Sequence, residues 1–147
     1  MNALDILIQL LKLFEGCRLT AYQDIVGIWT IGYGETKDVQ KGMTWTQDEA
    51  DQHLINRAQQ FINGVLAACP QLNNEPAYRQ AACASLAYNI GLHAFSISTV
   101  CRETTAQDYD AAQAAFAMWS KAGGVIRHGL EIRRDKESKI YKDGGSQ

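Results

Sequence analysis

The stretch FEGCRLTAYQDIVGIWTIGYGE, residues 14–35, is the part of this 147-residue sequence that most constrains its fold. It contains three carboxylates, Glu15, Asp24 and Glu35, set among aromatic residues and glycines. Elsewhere the acidic residues are spread over polar segments with a helical pattern, as on a solvated surface. This clustering raises the hypothesis that some of the three carboxylates carry out chemistry.

The hydrophobic period changes within this stretch. Residues 3–15 repeat apolar side chains at helical spacing, and Gly16 is typical of a helix end, which places Glu15 in the last turn. The negative end of the helix dipole disfavours a charged carboxylate there. A carboxyl group that stays protonated is what a general acid requires.

The segments that follow predict a β-hairpin. Residues 17–23 and 28–34 are rich in Thr, Tyr, Ile, Trp and Gly, and residues 24–27 would form the turn. Asp24 would then come beside Thr30 across the hairpin. One face of the second strand would carry little beyond the Thr30 hydroxyl, so a ligand or another backbone segment could approach it closely. That face comprises Ile28, Thr30, Gly32 and Gly34, and the other Trp29, Ile31 and Tyr33.

A long helix follows the hairpin. The segment TQDE fits a capping box, with Thr46 as the N-cap and Glu49 three residues later. The helix that it opens reaches about residue 68, which is long enough to join two lobes. Beyond Pro76 the pattern is helical to about residue 142, with glycines between the helices. The sequence therefore predicts an α+β fold in which helices dominate.

Composition and charge are those of an ordinary soluble protein of one domain, with 46% hydrophobic and 20% charged residues. Residues 1–120 carry 7 basic and 12 acidic residues, whereas residues 121–147 carry 7 and 4. The basic end predicts either a solvated helix face or a surface for an anionic partner. The side chains of that face would be Arg133, Arg134, Lys136 and Lys139.

The sequence gives no sign of a membrane span or a signal peptide. No apolar segment approaches the ~18–20 residues that a span needs. The N-terminus lacks a basic region and a small-residue cleavage site. We therefore expect synthesis in the cytoplasm without a signal peptide.

The cysteines and histidines lack the spacing of metal ligands, with no C-x-x-C pair and no H-E-x-x-H motif. We expect no metal and no cofactor. Three of the cysteines lie among apolar or small residues, where a free buried thiol is the commoner outcome and a disulfide is the alternative. The cysteines are Cys17, Cys69, Cys83 and Cys101, and the histidines are His53, His93 and His128.

The segment AGGVIRHGLEIRR, residues 122–134, admits two interpretations. It could form a helix-turn-helix whose basic second helix binds nucleic acid. Alternatively, the apolar residues in and before it pack into the core of the domain, which is the interpretation that we favour. These residues are Trp119, Val125, Ile126, Leu130 and Ile132.

The N-terminal stretch resembles the signature of the phage-type lysozymes, which are muramidase endolysins of tailed bacteriophages and their prophage relatives. In that signature a Glu opens EG.R..AY.D and W/P-TIG.G follows, and Glu15, Asp24 and Thr30 have the family's spacing. The segments SLAYNIG, AFSIST and WSKAGGVIRHGLEIRRDKESKIY extend the resemblance to roughly residues 4–140. The matching N-terminal residues are Glu15, Gly16, Arg18, Ala21, Tyr22, Asp24, Gly27, Trp29, Thr30, Ile31, Gly32 and Gly34.

The resemblance implies a single lysozyme-like domain over residues 1–147 with two lobes. A small β-containing lobe would span about residues 15–45, and a connecting helix about residues 46–68. A helical lobe would comprise about residues 76–142 together with the N-terminal helix. The sugar cleft would lie between the lobes.

The family's roles, carried over position by position, imply that Glu15 is the general acid that protonates the leaving glycosidic oxygen. Asp24 would activate the attacking water, and Thr30 would help to hold that water. The implied outcome is inversion, for which the two carboxyl groups lie about 6.5–9.5 Å apart. If the family resemblance is set aside, the alternative is that Glu15 forms a surface ion pair with Arg18 and that Asp24 is an ordinary turn residue. The resemblance assigns saccharide binding to Gly34, Tyr88, Asn89 and Ser98.

The implied function is hydrolysis of the β-1,4 bond between N-acetylmuramic acid and N-acetylglucosamine in bacterial peptidoglycan, with no metal or cofactor. The enzyme would be a monomer without a nucleic-acid partner, released to the cell wall by a holin, and would cause host lysis. The open alternatives are a wall-binding module of the same fold without activity, a transglycosylase, and a helical nucleic-acid binder that uses residues 122–142.

Glu35 departs from the family pattern, because many relatives carry His at this position. A Glu cannot replace that His as the partner of an acid. Glu35 would instead pair with Lys37 or Arg18, bind a cation or modify substrate affinity, and we assign it no catalytic role.

Overall fold

The computed structural model describes residues 1–145 of the chain. Helices dominate and the strands are short, so the predicted α+β fold is confirmed. Two short 3₁₀ helices, Pro70–Asn74 and Phe116–Trp119, follow the second and sixth α-helices. In chain order the other elements are α1 (Ala3–Glu15), β1 (Arg18–Gln23), β2 (Trp29–Gly32), α2 (Gln47–Ala68), α3 (Ala77–Ile90), α4 (Leu92–Ser96), α5 (Thr99–Thr105), α6 (Tyr109–Ala115), β3 (Lys121–Ala122), β4 (Val125–Ile126) and α7 (His128–Asp143).

Helix α1 has the boundaries that its sequence pattern predicts. The Asn2 side chain caps its first turn, and the apolar stripe that includes Leu7 and Leu11 is fully buried. The helix ends at Gly16, whose φ of 64° is a conformation that glycine adopts without strain. Glu15 therefore lies in the last turn of α1, as predicted.

The register of the hairpin of β1 and β2 determines how Asp24 lies relative to Thr30. Thr30 lies opposite Tyr22. Asp24 instead pairs with Ile28, to whose carbonyl it donates its backbone N–H at 2.9 Å. Asp24 and Thr30 are therefore diagonal neighbours across the hairpin rather than a directly opposed pair.

The second strand is shorter than the predicted residues 28–34. Gly32 has a φ of 64°, and Ile31 and Glu35 exchange two backbone hydrogen bonds of 2.9 Å, which fold the chain into a tight turn. The predicted alternation of faces fails here, and the space over Gly32 is taken by Trp45, whose ring would lie 2.7 Å from an added Cβ. The consecutive buried residues are Thr30, Ile31, Gly32 and Tyr33.

Helix α2 joins the hairpin region to the other helices. The predicted capping box is present: the Thr46 hydroxyl accepts the N–H of Glu49 at 3.1 Å, and the Glu49 carboxylate accepts the N–H of Thr46 at 3.0 Å. The helix has 22 residues, about 33 Å at 1.5 Å per residue. It contacts β2 as well as α1, α3 and α4, so one rigid element supports both parts of the molecule.

The core of the helical part is built around α3, which packs against α1, α2 and α7. The middle of α3 is buried on every side, including Ser85 and the thiol of Cys83. Small side chains dominate this segment, which allows the neighbouring helices to approach closely. The fully buried alanines are Ala81, Ala82, Ala84 and Ala87.

Between α6 and α7 the predicted helical pattern is wrong. Strands β3 and β4 form a small hairpin whose turn is made by Gly123 and Gly124, both with positive φ. Because this hairpin separates the two helices, residues 122–134 are not a helix-turn-helix. Helix α7 begins only at His128.

Two expectations about side chains near α7 are also wrong. Val125 and Ile126, in the β3–β4 hairpin, and Ile132, in α7, are exposed rather than packed in the core. Arg133 and Arg134 are buried rather than on a solvated face, with 6% and 1% exposure. Their burial is compensated by ion pairs, described below. Trp119 and Leu130 are partly buried, and Lys136 and Lys139 are exposed.

Within residues 1–145, none of the helices combines the length and the apolar character needed to cross a bilayer. The same residues contain no group of three or more side chains arranged to hold a metal ion. All four cysteines are free. Cys17 is exposed, and Cys69, Cys83 and Cys101 are buried, as expected for thiols in apolar surroundings.

Glu75 gives the helical part a pH-dependent contribution to stability. Burial alone would raise the pKa of Glu75, but hydrogen bonds from Gln71, Tyr109 and Arg79 outweigh burial and lower it below its ordinary value. A carboxyl group with a lowered folded-state pKa stabilises the fold above its ordinary pKa, and this contribution is lost as the pH falls through the lowered value.

We therefore expect Glu75→Gln to lower the melting temperature near pH 7, and its difference from the wild type to shrink below about pH 4. Thermal unfolding followed by circular dichroism over this pH range measures the difference. A difference that stays constant down to about pH 3 would contradict the assignment.

Candidate active site

Glu15 is held at the junction of the two parts of the molecule. Its Oε2 accepts a hydrogen bond of 2.7 Å from Nη1 of Arg133, and its side chain is 20% exposed. Its Oε1 lies 3.6 Å from the point where a Cβ on Gly34 would sit. Gly34 has a φ of 94°, so glycine provides both the backbone conformation and the open space beside this oxygen.

Arg133 connects Glu15 to the interior of the protein. Its Nε donates to Oε2 of Glu137 at 3.1 Å, and its Nη2 donates to the carbonyl of Ser85 at 3.1 Å. The Ser85 hydroxyl donates to the same Glu137 oxygen at 2.6 Å, and the guanidinium lies over the ring of Phe14. Each of the three guanidinium nitrogens therefore donates a hydrogen bond, and these bonds fix the position of the Arg133 side chain next to Glu15.

Glu137 is shared by two arginines. It is fully buried, and its Oε1 lies 2.7 Å from Nε of Arg134. Neither atom has a hydrogen bond of good geometry, so this contact is an ion pair held by charge. Arg134 also donates to the side-chain oxygen of Asn89 at 2.9 Å and to the carbonyl of Trp119. The cluster thus ties α7 to the middle and the C-terminal end of α3.

Burial shifts the acid–base equilibria in this cluster. It raises the pKa of Glu137, although the two guanidiniums oppose that rise, and it lowers the pKa of Arg134. Removing one member of such a buried group leaves the others with uncompensated charge. The sequence analysis considered only the dipole of α1, whose negative end disfavours a charged Glu15. The positive charge of Arg133 acts in the opposite direction, because it attracts the charged carboxylate.

Asp24 and Thr30 are brought together through Ile28. Oδ1 of Asp24 accepts the N–H groups of Val26 and Ile28, each at 2.9 Å, and the Thr30 hydroxyl donates to the Ile28 carbonyl at 3.0 Å. Oδ2 of Asp24 accepts no hydrogen bond from the described residues. The Asp24 carboxylate is thus fixed at one oxygen and open at the other.

Tyr88 links the helical part to the hairpin region. Its hydroxyl donates to the carbonyl of Tyr33 at 2.8 Å, and burial raises the pKa of Tyr88, so the hydroxyl remains a donor at neutral pH. The Tyr33 hydroxyl in turn donates to the Asp51 carboxylate at 3.0 Å. Burial, as the larger cause, and this hydrogen bond, as the second, raise the pKa of Tyr33 to about 12. This chain of hydrogen bonds fixes the backbone next to Gly34.

The other two predicted saccharide-binding residues have different surroundings. Asn89 is exposed, and its oxygen is taken by Arg134. Ser98 is buried and caps α5, because its oxygen accepts the N–H of Cys101 at 3.1 Å. No contact of the described residues joins Ser98 to Glu15 or to Asp24. Ser98 thus has a structural role, and its binding role stays a prediction.

Glu35 has a partner that the sequence analysis did not name. Its carboxylate lies 3.6 Å from Nη1 of Arg57, on α2, rather than against Lys37 or Arg18. The Arg57 guanidinium also lies over the rings of Phe61 and Tyr88, at 5.3 and 5.0 Å from their centres. Glu35 therefore anchors the turn after β2 to α2 and α3.

A β-hairpin region joined by one long helix to a helical lobe, with acidic side chains where the two meet, defines the lysozyme-like class of folds. The sequence model of the phage lysozyme family matches residues 12–137. The chain therefore belongs to the phage lysozyme family, as its sequence resemblance predicts, and it is a lysozyme.

Individual relatives agree with the family match. The chain is 38% identical to the endolysin of Acyrthosiphon pisum secondary endosymbiont phage 1, covering 90% of this chain and 92% of that protein. It is 32% identical to the endolysin of Bacillus phage B103 over all of this chain, but spans only 56% of that longer protein. The solved structure of the endolysin from Escherichia coli O157:H7 phage FAHEc1 is 33% identical in sequence and superposes with a TM-score of 0.84. The match covers 97% of this chain and 94% of the endolysin chain.

Sequence reasoning missed Arg133, Glu137 and Arg57 as members of the site. The spacing of Arg133 and Glu137 by four residues places them on one face of a helix, which is a signal that the sequence contains. Charge alone suggested a solvated face, because nothing in the sequence indicates which face of α7 meets α3. Arg57 gives no local signal, since its partners come from distant segments.

Replacing Glu137 tests the buried cluster. We expect Glu137→Gln to lower the free energy of unfolding by about 3–5 kcal/mol, because two buried arginines lose their shared counter-charge. Urea unfolding measures this value. A matched control is Glu131→Gln in the same helix, whose exposed contact with His128 contributes at most about 1 kcal/mol. Equal, small losses in the two variants would contradict the role of Glu137.

Proposed function

We propose that this lysozyme hydrolyses the β-1,4 bond between N-acetylmuramic acid and N-acetylglucosamine in peptidoglycan, with inversion at the anomeric carbon. The observation that carries the proposal is the asymmetric binding of the Glu15 carboxyl group. Oε2 is taken by Arg133, while Oε1 adjoins Gly34 and accepts no hydrogen bond from the described residues.

This asymmetry supports one position for the catalytic proton. A proton on Oε2 would compete with the guanidinium hydrogen bond, so the protonated oxygen is Oε1. From there it can be donated to the leaving glycosidic oxygen of a sugar that lies over Gly34. Arg133 is a positioning residue, and it stabilises the carboxylate that Glu15 becomes after it has donated its proton.

Asp24 and Thr30 supply the other half of the reaction. The free Oδ2 of Asp24 accepts a proton from the attacking water, and the two backbone N–H groups on Oδ1 stabilise the carboxylate. The Thr30 hydroxyl donates its hydrogen bond to the Ile28 carbonyl. The lone pairs of the Thr30 oxygen can therefore accept a hydrogen bond from the same water.

We extend the proposal to the saccharide chain and to lysis. Tyr88 and Asn89 lie at the end of α3 beside the lobe junction, where sugar rings on either side of the scissile bond would pass. Gly34 provides clearance for them, and Ser98 is the least supported member of this set. The family resemblance supports action as a monomer on the wall of the host, after release from the cytoplasm through a holin, and host lysis as the result.

Substitution of the acid and of the water-binding group tests the roles. We expect Glu15→Gln and Asp24→Asn each to slow the clearing of purified wall suspensions by about 100-fold or more, because each removes a proton-transfer group. Asp48→Asn, an exposed acid at the start of α2, is the matched control. A folded Glu15→Gln variant that clears walls as fast as the wild type would refute the assignment.

Thr30 allows a finer comparison. Thr30→Ser keeps the hydroxyl and should retain most of the activity, whereas Thr30→Val keeps the shape and should lose about 10-fold or more because the water loses an acceptor. Both variants are compared at equal folded fraction, determined by thermal unfolding. Equal activity of the two would show that the hydroxyl has no part in the reaction.

The stereochemical outcome is a separate prediction. Inversion requires carboxyl groups about 6.5–9.5 Å apart, with a water between Asp24 and the sugar. Proton NMR of the first product released from a soluble β-1,4-linked oligosaccharide should show the α-anomer. The β-anomer as first product would mean retention and would assign Asp24 the role of nucleophile instead.

A further inference from the structure

Two cysteines from different helices contact each other inside the helical lobe. Cys69 follows the last residue of α2, and Cys101 lies in α5. The Cys69 thiol donates to the carbonyl of Cys101 at 3.7 Å, and the Cys101 thiol donates to the carbonyl of Ala68 at 3.6 Å. Each thiol thus reaches the backbone at the other cysteine's position, which brings the two side chains together.

The pair is chemically activated by its surroundings. The hydrogen bond from the Cys101 thiol outweighs burial, and with a further contact from Thr105 at 3.5 Å it lowers the pKa of Cys69 to about 6. The same hydrogen bond raises the pKa of Cys101. A cysteine whose pKa is lowered in this way supplies the thiolate that disulfide exchange requires.

A small reagent can reach this pair from the surface. An open cavity of about 390 Å³ is lined by Cys101 together with Ser98, Arg102 and Thr105. Cys101 is 5% exposed, whereas Cys69 is fully buried behind it. The cavity lies at the far end of α2, about 18 Å along the helix from Arg57 at 1.5 Å per residue. Its lining includes Ser98 but neither Glu15 nor Asp24.

We propose that Cys69 and Cys101 form a redox-active dithiol that reacts with small disulfides and closes to an intramolecular disulfide. This proposal is independent of the glycosidase activity. Its consequence is a covalent link between the end of α2 and α5. Peptidoglycan lies outside the reducing cytoplasm, so the reduced enzyme would meet such oxidants where it meets its substrate.

The exchange proceeds in two steps. The Cys101 thiol passes its proton to the Cys69 thiolate, and the Cys101 sulfur, which the cavity reaches, attacks one sulfur of the small disulfide and releases one small thiolate. Cys69 then loses its proton to that thiolate and attacks the Cys101 sulfur, which breaks the mixed disulfide and releases the second small thiolate. Two cysteine sulfurs are oxidised, and one disulfide is reduced to two small thiols.

The other two cysteines differ in ways that make them controls. Burial raises the pKa of Cys83 well above its ordinary value, so it stays a thiol. Cys17 is exposed next to α1, where its sulfur accepts a contact from the side-chain amide of Gln47 at 3.9 Å. A small disulfide would leave Cys83 unmodified. It would leave Cys17 as a mixed disulfide that has no neighbouring thiol to resolve it.

The test uses the full chain, reduced and then exposed to glutathione disulfide at neutral pH. Remaining thiols are alkylated under denaturing conditions, and the protein is digested and analysed by mass spectrometry. We expect a Cys69–Cys101 cross-linked peptide in the wild type and in Cys17→Ser. Cys101→Ser should instead show no internal cross-link at Cys69. A wild type that keeps free Cys69 and Cys101, or that links either to Cys83, would overturn the proposal.

A stability measurement gives a second readout. The link closes a loop between residues 32 apart in sequence, and it should raise the melting temperature of the oxidised wild type by roughly 5–10 °C over the reduced form. The Cys101→Ser variant should melt at the same temperature before and after oxidation. A wild type whose cross-linked form melts no higher than the reduced form would contradict a link of these two elements in their folded geometry.

Discussion

Arg133 donates to two carboxylates at once, one of them buried and one at the junction of the lobes, and the candidate active site depends on this double contact. Glu137 fixes the guanidinium from inside, and the guanidinium fixes Glu15 from the other side. The three residues come from α7 and α1, with Ser85 of α3 completing the cluster. An arrangement of buried charge thus positions the predicted acid with little freedom to rotate.

The hairpin region is attached to the helices by two contacts of different kinds. Tyr88 donates to the backbone of Tyr33, and Glu35 pairs with Arg57 on the long helix. Both contacts converge on the turn that contains Gly34. The backbone beside Glu15 is therefore fixed from α2 and α3 together.

Local signals in the sequence predicted the helix that ends at Glu15, the capping box at Thr46 and the dominance of helices. These features depend on residues close together in the chain, where spacing determines geometry. The predicted length of the second strand was wrong because the chain turns after Gly32, where the space that a side chain would need is taken by Trp45, which comes later in the chain. The burial of Arg133 was missed for the same reason, since its counter-charge and its neighbours are set by helix packing.

The family and its enzymatic activity follow from the matched sequence and fold, whereas the bond cleaved and the roles of Glu15 and Asp24 are proposals. Mass spectrometry of the fragments released from purified peptidoglycan tests the central claim most directly. A hydrolase with Glu15 as its acid should release fragments that end in reducing N-acetylmuramic acid, and Glu15→Gln should release almost none. Fragments with anhydro-muramic ends, or unchanged release by Glu15→Gln, would contradict the claim.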